Sequence, residues 1–370
     1  LAARPELRAR MWADDETQAI VLLSAGPGSE HEVRAAALSA AWSLAEEKAT
    51  ARAMWLSPRW QGCLVDAARS ESNSTQEFAA ATLWNLATTA ANRVPMWASE
   101  DVRAALVERA ADARHGARRP RAFALAALQE LAAAPSNRAA IWASSGGAKP
   151  ALFSAALADD PKARAFGLSA LLHLAEEPAN RGPMWRDARG ARGALVRVAR
   201  MADPSHRTSR TCALSSLVRL AEAPENRAAM WGDAAARAAL LAAANLTLPG
   251  DRLAQRNALA ALFQLSSEPA NQRSMLHLAQ AREVLVQVGR AAPAASEARA
   301  YAVATLRNLA AEPSNSPLMW SEHGGAAAVL LGAARAGEPE ARQARAYALD
   351  AFVRLTTREV DRERMWQHRE

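Results

Sequence analysis

A unit of about 44 residues recurs along the whole 370-residue chain, and this periodicity restricts the fold more than any other feature. The dipeptide Met-Trp marks the unit and recurs every 42 to 46 residues, with Ile141-Trp142 and Met275-Leu276 as variants. Eight of the eleven tryptophans stand in this one column. A repeat of roughly 20–50 residues indicates stacked copies of one supersecondary unit.

The residues inside each unit favour helices. Alanine and arginine are strong helix formers and abundant here, whereas aromatic residues, which favour strands, make up 5% of the chain. In the third unit the sequence predicts a short helix from Asn92 to about Ser99, a second from Asp101 to about Ala113, and a longer third from about Arg118 to Ala133. The pattern predicts an all-α solenoid with three helices per unit, because tetratricopeptide and ankyrin units are shorter, at about 33–34 residues.

The boundary between units carries polar and helix-breaking residues. A proline often precedes the boundary and is expected to stop the preceding helix. Four residues before most Met or Ile positions stands a residue expected to cap the next helix by accepting a backbone N–H bond: Asn92, Asn137, Asn180, Asn226, Asn271, Asn315 or Asp361. We expect the tryptophan that follows to pack between stacked units rather than to bind a ligand, since an indole buries about 150–250 Å².

The segment 137–152, NRAAIWASSGGAKPAL, resembles the boundary between two armadillo repeats, and the segments 81–87 and 122–132 resemble the third armadillo helix. The resemblance covers the whole chain. It implies a right-handed α-α superhelix, an armadillo/HEAT-like solenoid of about eight three-helix repeats, whose third helices line a concave protein-binding face. We expect one array over residues 1–370, cut from a longer one, with units at about 7–47, 50–90, 92–134, 137–177, 180–223, 226–268, 271–312 and 315–358 and a partial unit at 361–370.

Two columns of the third helices are candidates for a peptide groove. The ladder column, where karyopherin-α-like grooves carry asparagine, reads Ser43, Asn85, Glu130, His173, Arg219, Gln264, Asn308 and Arg354. Seven residues earlier, on the same helix face, stand the aromatic residues Phe78, Phe123, Phe166, Tyr301 and Tyr347. The aromatic column fits either core packing or contact with an extended peptide. The tryptophan array of karyopherin-α-like grooves is absent, so binding of basic localisation signals is not expected.

Arginine offers an alternative function. The net charge is +7, the pI is about 10.3, and most of the positive charge lies in residues 101–300, which could bind nucleic acid or another polyanion. The candidates for such a patch are Arg114, Arg118, Arg119, Arg121, Arg186 and Arg189. A further arginine column stands nine residues before the ladder column, out of phase with it: Arg34, Arg121, Arg164, Arg210, Arg299 and Arg345. We expect these side chains to be solvated or to bridge to acidic neighbours, with a phosphate-binding row as the alternative.

No motif for catalysis, a cofactor or a metal is found. The chain has no Gly-rich phosphate loop, no His-Glu-x-x-His and no Gly-x-Ser-x-Gly, and its seven histidines have no metal-ligand spacing. Two cysteines exclude a disulfide framework and favour a reducing compartment, so an intracellular location, cytoplasmic or nuclear, is expected. No apolar run is long enough to span a membrane. The sequence predicts a non-catalytic scaffold for an unknown protein or extended peptide, without a small-molecule substrate.

Overall fold

The computed structural model describes residues 5–321, 325–357 and 362–363. The described residues contain 24 α-helices in eight successive triplets, so the predicted three-helix repeat is confirmed. In the third unit the helices lie within two residues of their predicted positions.

The helices are numbered in chain order, and each repeat has a first, a second and a third helix. The first helices are α1 (Pro5–Ala13), α4 (Lys48–Leu56), α7 (Ala90–Ala98), α10 (Pro135–Ala143), α13 (Pro178–Arg186), α16 (Pro224–Gly232), α19 (Pro269–His277) and α22 (Ser316–Trp320). The second helices are α2 (Asp15–Ser24), α5 (Pro58–Ala68), α8 (Glu100–Ala111), α11 (Ala148–Ala156), α14 (Ala191–Ala199), α17 (Ala234–Ala244), α20 (Ala279–Ala291) and α23 (Ala326–Ala334). The third helices are α3 (His31–Leu44), α6 (Asn73–Thr88), α9 (Arg118–Ala133), α12 (Pro161–Glu176), α15 (Arg207–Glu222), α18 (Arg252–Ser266), α21 (Glu297–Leu309) and α24 (Arg342–Leu355).

The chain divides into two compact bodies, residues 1–180 with 189–194 and residues 181–188 with 195–370. In the first body the third helices α3, α6, α9 and α12 pack in succession, and the second helices α2, α5, α8 and α11 do the same. In the second body α15, α18, α21 and α24 pack in succession, as do α17, α20 and α23. Each body is therefore built from repeats that contact their neighbours along the chain.

The tryptophan column lies in the core, as the sequence predicts. Its members are at most 9% exposed at Trp55, Trp97, Trp142, Trp185, Trp231 and Trp320. Leu276, which replaces tryptophan in one repeat, is fully buried. Trp12 in the first repeat is half-buried, and Trp366 lies outside the described residues. The column therefore packs in the core rather than facing solvent.

The asparagine column does not cap helices, so this part of the prediction is wrong. The Nδ2 atom of Asn137, the third residue of α10, donates to the backbone oxygens of Leu131 at 3.0 Å and Arg93 at 2.9 Å. The same pair of bonds is made by Asn92, Asn180, Asn226, Asn271 and Asn315. Asp361 lies outside the described residues.

The first helices begin before the asparagine, whereas a capping residue stands just ahead of its helix. Four first helices begin with a proline: Pro135, Pro178, Pro224 and Pro269. An N–H at this position has no partner within the helix, so proline, which has no N–H, costs no hydrogen bond there. The asparagine is consequently inside the helix and more than nine-tenths buried. Its amide joins the end of one third helix to the first helix of the preceding repeat, and so holds successive repeats in register.

Candidate functional site

Arginine side chains bond backbone carbonyls at the C-terminal ends of helices. Arg103 donates to the carbonyl of Trp97 at 3.0 Å, Arg138 to that of Ala132 at 3.3 Å, and Arg227 to that of Ala221 at 3.1 Å. In each case the carbonyl lies six residues earlier. Carbonyls at a helix C-terminus have no partner within the helix, and a cation there interacts favourably with the helix dipole. These arginines therefore have a structural role at the helix ends.

The arginine column nine residues before the ladder column is buried at three positions and half-buried at Arg121, Arg299 and Arg345, so the expectation of solvated side chains is wrong at the three buried positions. Arg34, Arg164 and Arg210 are 4–6% exposed. Arg34 donates to the carbonyl of Ala25 and pairs with Asp66, and Arg210 donates to the carbonyl of Met201 at 2.6 Å. The predicted bridge to acidic neighbours is present at Arg34 and Arg210. Buried guanidinium groups that already bond carbonyls do not form a phosphate-binding row.

The exposed arginines of the predicted polyanion patch have carboxylate partners. Arg114, Arg118 and Arg119 are 62–74% exposed and pair with Asp112, Asp160 and Glu77, respectively. Hydrogen bonds from Arg114 lower the pKa of Asp112 to about 2, so this carboxylate stays charged at neutral pH. The patch is therefore a mixed-charge surface rather than a field of one sign.

The other patch candidates differ in their exposure. Arg121 is half-buried and donates to the carbonyl of Ala110 at 3.1 Å and the hydroxyl of Ser154 at 3.1 Å. Arg186 and Arg189 are exposed and belong to different compact bodies.

Two asparagines of the ladder column bond within the chain. Asn85 is 7% exposed, and its Nδ2 donates to the backbone oxygen of Trp42 at 2.9 Å. Asn308 is 6% exposed, and its Nδ2 donates to the hydroxyls of Ser266 at 2.9 Å and Ser267 at 3.2 Å. Its Oδ1 accepts from Arg307 at 3.0 Å. These amides therefore join neighbouring third helices, and both are buried.

The charged ladder residues are accessible but paired. Glu130 pairs with Arg93, Arg219 with Glu222 at 2.7 Å, and Arg354 with Asp350 at 3.2 Å. The Nδ1 of His173 lies 3.5 Å from a carboxylate oxygen of Glu176. Gln264 is half-buried. Short pairs of this kind hold side chains in place and, at exposed positions, stabilise the fold by only about 0–1 kcal/mol.

Aromatic rings line the third helices of the first body. The ring of Phe123 lies 5.9 Å from that of Trp42 and 5.7 Å from that of Trp84, and Trp42 lies 6.1 Å from Phe78. All four residues are half-buried, so their rings contact one another and solvent. We call Trp42, Phe78, Trp84 and Phe123 the aromatic surface. It spans α3, α6 and α9.

The remaining aromatic candidates are also half-buried. In the second body Tyr301 contacts Phe263, with ring centroids 6.0 Å apart, and the hydroxyl of Tyr347 lies 3.1 Å from the amide of Gln343. Phe166 on α12 has similar exposure. The sequence is consistent with either core packing or contact with an extended peptide. The rings combine features of both, because they pack on the protein with one side and face solvent with the other.

Sequence analysis missed Trp42 and Trp84 as candidate site residues. A signal was present, because both stand outside the tryptophan column of the repeat boundary. Both also stand immediately before a ladder position, Ser43 and Asn85, in consecutive repeats. Because Trp42 and Trp84 occupy the same place in two repeats, they are predicted to lie at equivalent positions of their third helices.

Other surface features are modest. A cleft of about 600 Å³ lies where α18, α20 and α21 meet, with Leu253, Val288 and Ala298 in its wall. Among the described residues, no three His, Cys, Asp or Glu side chains are placed to hold a metal ion. Nor does any helix in the described part of the chain have the length and apolar character needed to cross a membrane.

Comparison with known proteins gives matches at the level of structure. No protein-family model and no curated protein matches the chain. A chain from work on a phosphorylation switch that controls the interaction between cadherin and beta-catenin superposes with a TM-score of 0.70 at 20% identity. The match covers 94% of the present chain and 63% of the other, so the present chain spans less than two thirds of that relative.

Designed proteins give a second group of matches. A designed armadillo repeat protein in complex with the peptide (KR)4 has a TM-score of 0.56 at 18% identity, over 67% of the present chain and 98% of the other. Computationally designed armadillo repeat proteins for modular peptide recognition have a TM-score of 0.55 at 19% identity, over 67% and 98%. Such low identities concern the fold alone. With its three-helix repeats and inter-repeat asparagines, the chain has the armadillo-repeat fold.

Proposed function

We propose that the chain is a non-catalytic interaction scaffold that binds an extended peptide segment along its third helices. The observation that carries the proposal is the aromatic surface, four half-exposed rings in contact across three consecutive repeats. Aromatic side chains supply large contact areas at low conformational cost and are enriched where proteins bind one another. A similar fold holds a peptide in the designed protein complexed with (KR)4.

The two bodies contribute different chemistry to this proposal. The aromatic surface of the first body would contact apolar side chains of the partner. In the second body the ladder column supplies the guanidinium groups of Arg219 and Arg354 and the amide of Gln264, and the aromatic column supplies the ring of Tyr301. Arg219 is 46% exposed and can bond to a partner while it keeps Glu222. We therefore expect acidic partner residues at the second body.

Removing a ring should weaken peptide binding measurably. We expect Phe123→Ala and Tyr301→Ala each to cost about 1–2 kcal/mol, or roughly 5- to 30-fold in Kd, because aromatic hot spots dominate interfaces. The probe is a peptide selected by the parent protein from a random library, and calorimetry gives the affinity. Arg219→Ala should weaken binding by a similar amount.

The matched control is Phe153→Ala on the second helix α11. Phe153 is also half-buried and also contacts a tryptophan, Trp142, with ring centroids 6.3 Å apart. We expect this variant to bind the selected peptide like the parent. If Phe153→Ala loses affinity as strongly as Phe123→Ala, the third helices are not the binding surface.

The polyanion alternative has a direct test in salt dependence. Because Arg114, Arg118 and Arg119 have carboxylate partners, we expect no sequence-independent binding to duplex or single-stranded DNA at low salt. Fluorescence anisotropy with labelled oligonucleotides measures it. Should binding occur and the triple change Arg118→Gln, Arg119→Gln, Arg121→Gln lower its salt slope by up to ~3 units, the polyanion function would replace the peptide proposal.

A further inference from the structure

A buried ion pair joins the fifth repeat to the sixth. One carboxylate oxygen of Asp251 accepts from Arg207 at 2.9 Å and from Arg210 at 2.7 Å. Arg207 is the first residue of the third helix α15, and Asp251 immediately precedes the next third helix, α18. The side chains of Asp251 and Arg210 are 3% and 5% exposed, so the space between these two repeats is filled.

The third and fourth repeats are joined in the same way. Arg118 is the first residue of α9, and it bonds the carboxylate of Asp160, which immediately precedes α12. In both cases the arginine begins one third helix and the carboxylate stands just ahead of the next. We call this arrangement the junction pair. It shows which chemical groups this fold places between consecutive third helices.

The junction of the sixth and seventh repeats has the arginine of such a pair without the carboxylate. Arg252 is the first residue of α18, is exposed and lines the cleft of about 600 Å³. Ser296 immediately precedes α21 and lines the same cleft, in the place that Asp160 and Asp251 occupy in the junction pairs. Its hydroxyl accepts from the N–H of Arg299, so Ser296 caps its helix, as Asp160 does, but brings no charge.

Neighbouring side chains leave the cleft open and the charge of Arg252 unbalanced. Gln255 lines the cleft and stands nine residues before the ladder column, in the place of Arg210. Its shorter side chain fills less of the junction than a guanidinium group does. The other arginine of the wall, Arg256, pairs with Glu297 at 2.6 Å. Within the described part of the chain, no side chain bonds the guanidinium of Arg252.

The wall beside Arg252 is apolar. Leu253, on the first turn of α18, is 53% exposed and lines the cleft with Val288 and Ala298. Leu248, next to the lining residue Thr247, is 55% exposed. Clefts of about 300–1,000 Å³ that combine apolar walls with a few polar groups are typical of binding sites. A cation beside an apolar wall is complementary to a carboxylate that is attached to an aliphatic group.

We propose that this cleft binds a segment of a partner protein in which an acidic residue stands beside an aliphatic one. The carboxylate takes the place of the absent junction aspartate and bonds Arg252, and the aliphatic side chain packs on Leu253 and Val288. Hydrogen bonds between guanidinium and carboxylate groups are strong and specific in geometry. The charge of the cleft and the two junction pairs of the chain itself support a polypeptide carboxylate as the occupant.

This site is separate from the surface for which we propose peptide binding along the third helices. It shares no residue with the aromatic surface or with Arg219, Gln264, Tyr301 and Arg354. Either proposal can therefore fail without the other.

Selection of peptides tests the chemistry of the occupant. A phage library of random peptides is selected on the parent protein, with counter-selection on Arg252→Glu. We expect the enriched sequences to share an acidic residue next to leucine, isoleucine or valine. In calorimetry with one enriched synthetic peptide, Arg252→Gln should weaken binding about tenfold or more, because it removes a charge-assisted bond. An amide in place of the peptide's carboxylate should cause a similar loss, and Arg252→Lys should retain part of the affinity.

Arg273→Gln is the matched control, because Arg273 is an exposed arginine of the first helix α19 and does not line the cleft. We expect this variant to bind the peptide like the parent. The proposal is overturned if no acidic sequence is enriched, or if Arg252→Gln and Arg273→Gln bind alike. Binding of octanoate without any enriched peptide would assign the cleft to a small carboxylate and would also overturn a polypeptide occupant.

An introduced carboxylate tests the comparison between junctions. Ser296→Asp places a carboxylate ahead of α21, as in the junction pairs. We expect it to bind the peptide about tenfold or more weakly than Ser296→Asn does, because the new carboxylate pairs with Arg252 and repels that of the peptide. Aspartate and asparagine both cap helices, so both variants keep the start of α21, and circular dichroism checks their fold. Equal affinities of the two variants would show that the occupant is not anionic.

Discussion

Trp185→Ala is expected to lower the free energy of unfolding by about 3–5 kcal/mol, as large-to-small changes in a packed core do. Trp185 is 2% exposed and belongs to the column that every described repeat from the second onward fills with a large buried side chain. Its removal leaves a cavity beside α13 that the surrounding helices can close only in part. Denaturant unfolding followed by circular dichroism measures the loss.

Trp12→Ala provides the internal control. Trp12 stands in the same column but is half-buried, so its truncation removes less contact area and should cost clearly less. In a repeat protein each unit contacts its neighbours only, so hydrogen exchange should show the damage of Trp185→Ala concentrated near α13. A Trp185→Ala protein that melts like the parent would contradict the packing role of the column.

Asp251→Asn is expected to cost about 3–5 kcal/mol at neutral pH, because it leaves a buried cation without its counter-charge. Asp251 and Arg210 have side chains only 3% and 5% exposed, and one carboxylate oxygen accepts from Arg210 at 2.7 Å and from Arg207 at 2.9 Å. Burial alone would raise the pKa of Asp251, but the hydrogen bonds from Arg207 and Arg210 outweigh it and lower the pKa.

The sign of the pH dependence follows from that direction. A carboxyl group whose folded pKa is depressed stabilises the fold fully above its unfolded pKa, about 3.9, and loses this contribution as the pH falls through the folded pKa. The difference between parent and Asp251→Asn should therefore be constant from pH 5 to 7 and shrink below about pH 4. Unfolding titrations at several pH values measure this difference.

Asp160→Asn is the matched control for the buried pair. Asp160 pairs with Arg118, which is 62% exposed, and also caps α12 through the N–H groups of Lys162 and Ala163. Asparagine caps helices as well as aspartate does, so the substitution removes mainly the ion pair with the exposed Arg118. We expect a loss below about 1 kcal/mol. Equal losses at Asp160 and Asp251 would show that burial does not decide the strength of these pairs.

The architecture can be predicted from the sequence because the same residue pattern recurs in each repeat. A helix that is ambiguous in one repeat can be assigned from its counterparts in the others. The tryptophan column recurs at a nearly constant spacing. A large apolar residue at the same position of each repeat is expected to be buried in a contact that every repeat makes. The helices of the third unit could likewise be placed to within two residues. The role of the asparagines could not be predicted, because an amide side chain both donates and accepts. Position in the sequence does not show which of the two it does.

The site is less predictable because partners distant in the sequence decide which polar groups remain available. From the sequence, Arg34 is expected on the surface. In the structure α5 places Asp66 beside it, although Asp66 is 32 residues later in the chain. Asn85 and Asn308 occupy groove positions by spacing, yet each reaches the preceding third helix with its amide. The exposure of Trp42 and Trp84 depends in the same way on how three helices pack, which spacing alone does not reveal.

The most direct test of peptide binding by the third helices is photocrosslinking at defined positions. Benzoyl-phenylalanine would replace Phe78 on α6 in one protein and Glu108, an exposed residue of the second helix α8, in another. The partner is a peptide selected from a random library by the parent protein. We expect the peptide to crosslink to the protein substituted at Phe78 and not to the one substituted at Glu108. Crosslinking at Glu108 alone would show that the partner binds the second helices and would contradict the proposed site.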